Sequence, residues 1–300
     1  MIGSPEAVQA IAEFGKDEYG SVSKEVMRAS DRIEPDLFLD IIAPQLNPRH
    51  LHGDAVAHAL RKFGIDRMSS LQEAEELVLS GLRAGDLSIL QRLPDLRRLT
   101  LRGPSVTDLS PLNCLRKLRQ LNLSRVAVKD LSPLRDLPDL AYLGISYGDM
   151  DATQLVGMVG LTSLTLWSVK VGNAIALKDL RSLRHLSLMD VSGGNIGFLE
   201  NMPRLTGLRL SGAKGANLTP LQGLRGIEEL DLSFTTITDT RWLADLTNLK
   251  ALSLYSVKIS DPSSFPLLPK LQKLSVKGGV MSSELLAKLR RTYPGAKILT

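Results

Sequence analysis

The sequence predicts an α/β repeat solenoid, a curved parallel sheet with short helices or 3₁₀ turns on its convex side, preceded by a small all-helical segment. Three observations predict it. A segment of the Leu-x-Leu type recurs, opening at Leu77, Leu99, Leu121, Leu143, Leu164, Leu186, Leu208, Leu230, Leu252 and Leu274. Its spacing is 22 residues throughout, except for 21 between Leu143 and Leu164. Apolar columns and a column of small acids or amides keep the same register downstream. Self-similarity at a fixed period of this length marks stacked units, each too small to bury its own apolar edge.

The strand comes first in each unit. In Leu99-Thr100-Leu101 the apolar residues alternate, as in a strand with one buried face. The turn follows. One apolar column runs through Leu112, Leu134, Val156 and Leu177, a second through Leu115, Leu137, Val159 and Leu180, and a third through Leu118, Leu140, Leu161 and Leu183. Within a unit these columns are three residues apart, which suits 3₁₀ or short α-helix. Ser110-Pro111 and Ser132-Pro133 open two such turns, with serine expected as N-cap and proline at the first helical position. The column Asp86, Asp108, Asp130, Asn173, Asn195, Asn217, Asp239 and Asp261 is expected to bond loop amides. So long a column is structural rather than a set of ligands.

This pattern resembles the leucine-rich-repeat family, specifically the 22-residue class of internalins and of leucine-rich regulators of protein phosphatase. The matching core is Leu99-Thr-Leu101, then Val106-Thr-Asp108-Leu-Ser-Pro111-Leu112, then Leu115 and Leu118. The resemblance covers about residues 65–300 and implies the fold, not the function. The asparagine that usually closes the strand is here Pro104, Val126, Val169, Val191, Ala213 or Val257, so apolar packing is expected to replace a buried amide ladder. Internalins carry secretion signals and the start of this chain has none, so a surface-adhesin role does not transfer.

The ends differ from the middle. Residues 1–64 are expected to form a helical N-terminal cap or a HEAT-like segment, and residues 65–300 the solenoid. Two helical patches there end alike, at Phe14-Gly15 and Phe63-Gly64, as helices stopped by glycine do. At the other end, 282–300 reads as a closing cap, a helix at Ser283–Arg291 and a short strand at Ala296–Leu299. The net charge of +5 is uneven, because 1–64 carries seven Lys/Arg against ten Asp/Glu. Its basic far end suits a solvated surface or an acidic partner.

No catalytic constellation is visible. There is no phosphate loop, and Gly193-Gly194 lies in a repeat loop. His50 and His52 lack a third metal ligand at suitable spacing, and Cys114, the sole cysteine, has no partner histidine in its unit. The chain is therefore expected to be no enzyme, with no cofactor and no metal. No apolar stretch approaches the roughly 18–20 residues that span a bilayer. A single cysteine fits a reducing compartment, so the expected setting is cytoplasmic.

The residues flanking the strand leucines point to the concave sheet face. About forty such positions should collect roughly two of the 13 aromatics by chance. Five fall there: Tyr142, Tyr147, Trp167, Phe234 and Tyr255, joined by His185, Met189 and Asp190. Tyr142, Tyr147, Trp167, His185 and Met189 are expected to form one patch and Phe234 with Tyr255 a second, with Arg209, Glu229 and Asp231 between. Aromatic and methionine anchors among charges fit a protein-binding surface. The reading is thus a non-enzymatic interaction module, expected to be monomeric, that binds a protein or peptide. The alternative is a sensing or autoinhibitory region of a larger NACHT-type ATPase, which the helical segment plus repeats resembles. Nucleic-acid binding through Arg98, Arg102, Arg209, Lys273 and Lys277 is disfavoured, because acids interrupt the basic positions.

Overall fold

Stacked parallel strands joined by 3₁₀ turns are what the computed structural model describes, for residues 50–51, 75–80, 86–190, 196–212, 217–237, 239–259, 264–278 and 283–300. The expected helical segment at 1–64 lies outside these residues, apart from His50 and Leu51. The chain divides into two units, Met1–Ala141 and Tyr142–Thr300.

In the first unit, β1 (His50–Leu51), β2 (Glu76–Ser80), β3 (Arg98–Arg102) and β4 (Gln120–Ser124) pair in chain order, all parallel. The register is the repeat itself: Leu77 faces Leu99, which faces Leu121. In the second unit come β5 (Tyr142–Asp151), β6 (Ser163–Gly172), β7 (His185–Met189), β8 (Gly207–Ser211), β9 (Glu229–Asp231), β10 (Thr236–Ile237), β11 (Ala251–Ser253), β12 (Lys258–Ile259), β13 (Lys273–Ser275) and β14 (Lys297–Leu299). The main sheet there runs β5 to β9, then β11, β13 and β14, and β10 pairs with β12 beside it. All ten Leu-x-Leu segments carry a strand.

Among the described residues, a short 3₁₀ turn follows the strand in eight of the repeats. The leucines of strand and turn are the core, with Leu99, Leu101, Leu112, Leu115 and Leu118 in the first unit all at most 1% exposed. Removing one such side chain costs about 2–5 kcal/mol, whereas the lateral ion pairs Arg98–Glu76 and Lys250–Glu228 are half-exposed and contribute about 0–1 kcal/mol each. Leucine burial therefore dominates.

The turn chemistry departs from expectation in one respect. Ser110 and Ser132 do not act as N-cap acceptors. Asp108 accepts the Ser110 N–H at 2.8 Å and the Ser110 hydroxyl at 2.6 Å, and Asp130 treats Ser132 the same way. A carboxylate two residues upstream is the stronger acceptor, so it takes the cap role and turns the serine into a donor. Asn217 and Asp239 likewise accept the N–H of Thr219 and Arg241.

The 21-residue unit also corrects the sequence reading. Val156 and Val159 are not core: they are 38% and 81% exposed, and Leu155 and Met158 fill those columns at 0% and 6%. The missing residue falls between Tyr147 and Asp151, so everything downstream shifts by one. Asp151 takes the column position, accepting the Thr153 N–H at 2.9 Å. In the next repeat Asn173 is the extra residue. It sits in a left-handed conformation at φ 50° and donates from Nδ2 to Asp151 at 2.7 Å.

At the C-terminal end a helix spans Ser283–Thr292 and a strand Lys297–Leu299, each one residue from an expected bound. Helix α1 (Ser283–Thr292) leads to Tyr293, which is buried and donates its hydroxyl to the Pro266 carbonyl at 2.7 Å. Strand β14 then pairs with β13 and completes the edge.

Candidate functional site

The second unit's sheet presents three rows of side chains on its outward face. At the strand starts, Tyr142 registers with Ser163, then His185, then Gly207. Midway are Thr165, Ser187, Arg209 and Asp231. At the strand ends Ser146 registers with Trp167, Met189 and Ser211.

This division corrects the expected first patch. His185 and Met189 are four residues apart on one strand, about 13 Å at the usual rise. Tyr142 and His185 therefore belong to one end of the strands, while Tyr147, Trp167, Met189 and Asp190 belong to the other. His185 lies over the neighbouring strand, which is possible because residue 207 is glycine: a Cβ there would come within 2.6 Å of His185 Cδ2.

The middle row is polar, and Arg209 and Asp231 pair within it. Arg209 Nε meets Asp231 Oδ2 at 3.0 Å, and Asp231 Oδ1 accepts the Ser233 N–H at 2.9 Å. Arg209 and Asp231, with Glu229, Ser253 and Lys273, line a groove of about 430 Å³ along the sheet.

One repeat position carries a feature that the sequence reading missed. Gly103 and Arg125 in the first unit, and Tyr147, Ser168, Asp190, Gly212, Phe234, Ser256 and Gly278 in the second, occupy one repeat position, and all have positive φ. The backbone turns left-handed there, inside β5 at Tyr147 and β6 at Ser168 and past the strand end in the other repeats. Glycine does so without strain, and a bulky side chain does so at a cost. The available signal was three glycines separated by whole repeats.

Tyr147 and Phe234 hold that position at φ 60° and 61°. Each meets an aromatic from the following repeat. The Tyr147 and Trp167 rings are 5.0 Å apart at 49°, and the Phe234 and Tyr255 rings 5.1 Å apart at 63°. All four are at least 36% exposed. Between the pairs lies an open depression of about 600 Å³, lined by Trp167, Met189, Asp190, Ser211, Gly212 and Phe234. The two patches expected from the sequence thus border one surface.

Among the described residues, no group of three potential metal ligands assembles. Cys114 donates to the Pro111 carbonyl at 3.2 Å, and burial raises its thiol above the usual value. Phe198 and Trp242 are buried packing residues. No helix among the described residues is long and apolar enough to cross a membrane.

No family model and no curated protein matches the sequence. Solved structures do match. An internalin, InlF from Listeria monocytogenes, is 19% identical over 86% of this chain and 88% of its own, with a TM-score of 0.59. The plant peptide hormone receptor RGFR1, in complex with RGF2, is 16% identical over 83% of this chain and 45% of its own, with a TM-score of 0.50. Internalin C2 from the same bacterium is 25% identical over 70% of this chain and 83% of its own, at a TM-score of 0.43. The chain spans less than half of the receptor's length.

Proposed function

We propose that this leucine-rich-repeat protein is a non-enzymatic interaction module that holds a protein or peptide partner on the outward sheet face of its Tyr142–Thr300 unit. The observation that carries the reading is the placement of Tyr147 and Phe234. A left-handed conformation costs a bulky L-residue about 1–2 kcal/mol. Gly212 and Gly278 fill the same position in other repeats of that unit. The core beneath is complete without the two rings, since Leu143, Leu164, Leu166 and Leu232 are all fully buried. Strained, exposed aromatics paired with further aromatics serve packing poorly and serve as binding anchors well.

The likeness to the plant receptor supports the partner class, because that protein was solved in complex with RGF2. A monomer working in the cytoplasm is part of the proposal, in keeping with a single cysteine. Capture from a lysate, comparing the wild type with a Tyr147→Ala/Trp167→Ala/Met189→Ala chain, tests it. A partner retained by the first and lost by the second is the expected result. Equal recovery by both contradicts it.

A further inference from the structure

The depression between the aromatic pairs has dimensions that select a ligand. Trp167, Met189 and Ser211 lie in one row on adjacent strands, and the ladder continues through the Gly212 N–H, which bonds the Ser233 carbonyl beside Phe234. Trp167 and Phe234 are thus three strand intervals apart, about 14 Å at about 4.8 Å each. An extended chain crossing the strands covers that distance in about four residues, and its residues i, i+2 and i+4 face the same way.

Charge marks the midpoint. Asp190 is exposed, and no described residue gives its carboxylate an ion pair or hydrogen bond. It leans over Gly212, where a Cβ would collide with Asp190 Oδ1. Among the described residues that line the depression, Asp190 is the one carboxylate. The volume of about 600 Å³ falls in the range of ligand-binding clefts.

We infer that this surface takes an extended peptide segment with large apolar side chains at i and i+4, seated against Trp167 and Phe234, and a lysine or arginine at i+2 opposite Asp190. The inference rests on the reading of this face as a binding surface and adds the ligand's chemistry.

Panning a random nonapeptide library displayed on phage against the full chain tests it, with Asp190→Lys and Trp167→Ala chains panned in parallel. Both substituted positions are on the surface, and matched thermal unfolding midpoints verify the fold. Support consists of enriched apolar residues four apart with a basic residue midway, an acidic residue there in the Asp190→Lys selection, and recovery about tenfold lower on Trp167→Ala. Peptides that need Trp167 but show no such spacing overturn the inference and leave the binding face standing. Peptides recovered equally by all three chains overturn both. An absence of enrichment overturns the extended-peptide ligand, and a folded partner surface then becomes the occupant for the capture experiment to identify.

Discussion

The Tyr147 and Trp167 rings meet at 5.0 Å across two repeats, and four repeats later Phe234 and Tyr255 meet at 5.1 Å in the same relation. In both pairs the first residue is left-handed, and the second lies on the following repeat, just before that repeat's own left-handed residue. A device that recurs in the same register is a property of the repeat position, not of one loop. It couples local backbone strain to an exposed aromatic surface.

That strain is measurable as an inversion of the usual order of alanine and glycine. At most positions alanine is the more stable by about 0.5–1 kcal/mol. At Tyr147 and at Phe234 both replacements remove the ring, but only glycine relieves the left-handed backbone. Tyr147→Gly and Phe234→Gly are expected to be more stable than the matching alanine variants by about 1 kcal/mol. Urea unfolding of the four chains checks this, and alanine variants that are the more stable would remove the strain from the argument for function.

The shifted core of the 21-residue unit gives a second test. Met158→Ala should lower stability by about 2–4 kcal/mol, because it empties a buried column. Val159→Ala should change it by less than about 0.5 kcal/mol, since that side chain is 81% exposed. Denaturant midpoints decide, and the reverse order would restore Val159 to the core.

Acid should weaken the turns. Hydrogen bonds from Ser110 to Asp108, from Ser132 to Asp130, from Thr153 to Asp151 and from Arg241 to Asp239 hold these carboxyls below their ordinary value of 3.8. A carboxyl depressed in the folded state adds stability that is complete above its unfolded value and is lost as pH falls through the folded one. The unfolding midpoint should therefore decline as pH drops below 3.8. An Asp108→Asn/Asp130→Asn chain should decline less steeply, because an amide still accepts the turn N–H, as Asn217 does. Identical slopes for the two chains would show that these carboxylates do not matter to acid stability.

Much of the fold was legible in the sequence because burial imposes it. A leucine every 22 residues leaves few ways to stack, and the strands, the 3₁₀ turns and the cap around Tyr293 follow. The position of the one-residue deletion was not legible. Val156 and Val159 keep the three-residue spacing of a buried column, and only stacking against neighbours shows that Leu155 and Met158 do so instead. The left-handed column was hidden because its residue types vary, from Gly212 to Asp190 to Phe234. For the site, alternation placed the aromatics on one face, yet strand rise separates Tyr142 and His185 from Trp167 and Met189. The sequence also could not show that Arg209 and Asp231 satisfy each other, whereas no described residue pairs with the Asp190 carboxylate.

The most direct measurement compares partner recovery with stability in a Tyr147→Gly/Phe234→Gly chain. Both substitutions remove an exposed ring and relax a strained backbone, so a change in recovery cannot be ascribed to unfolding. The expected result is a thermal midpoint no lower than that of the matching double alanine chain, together with at least about tenfold weaker partner binding than the wild type. Wild-type binding by the double glycine chain would contradict the assignment of this face as the binding surface.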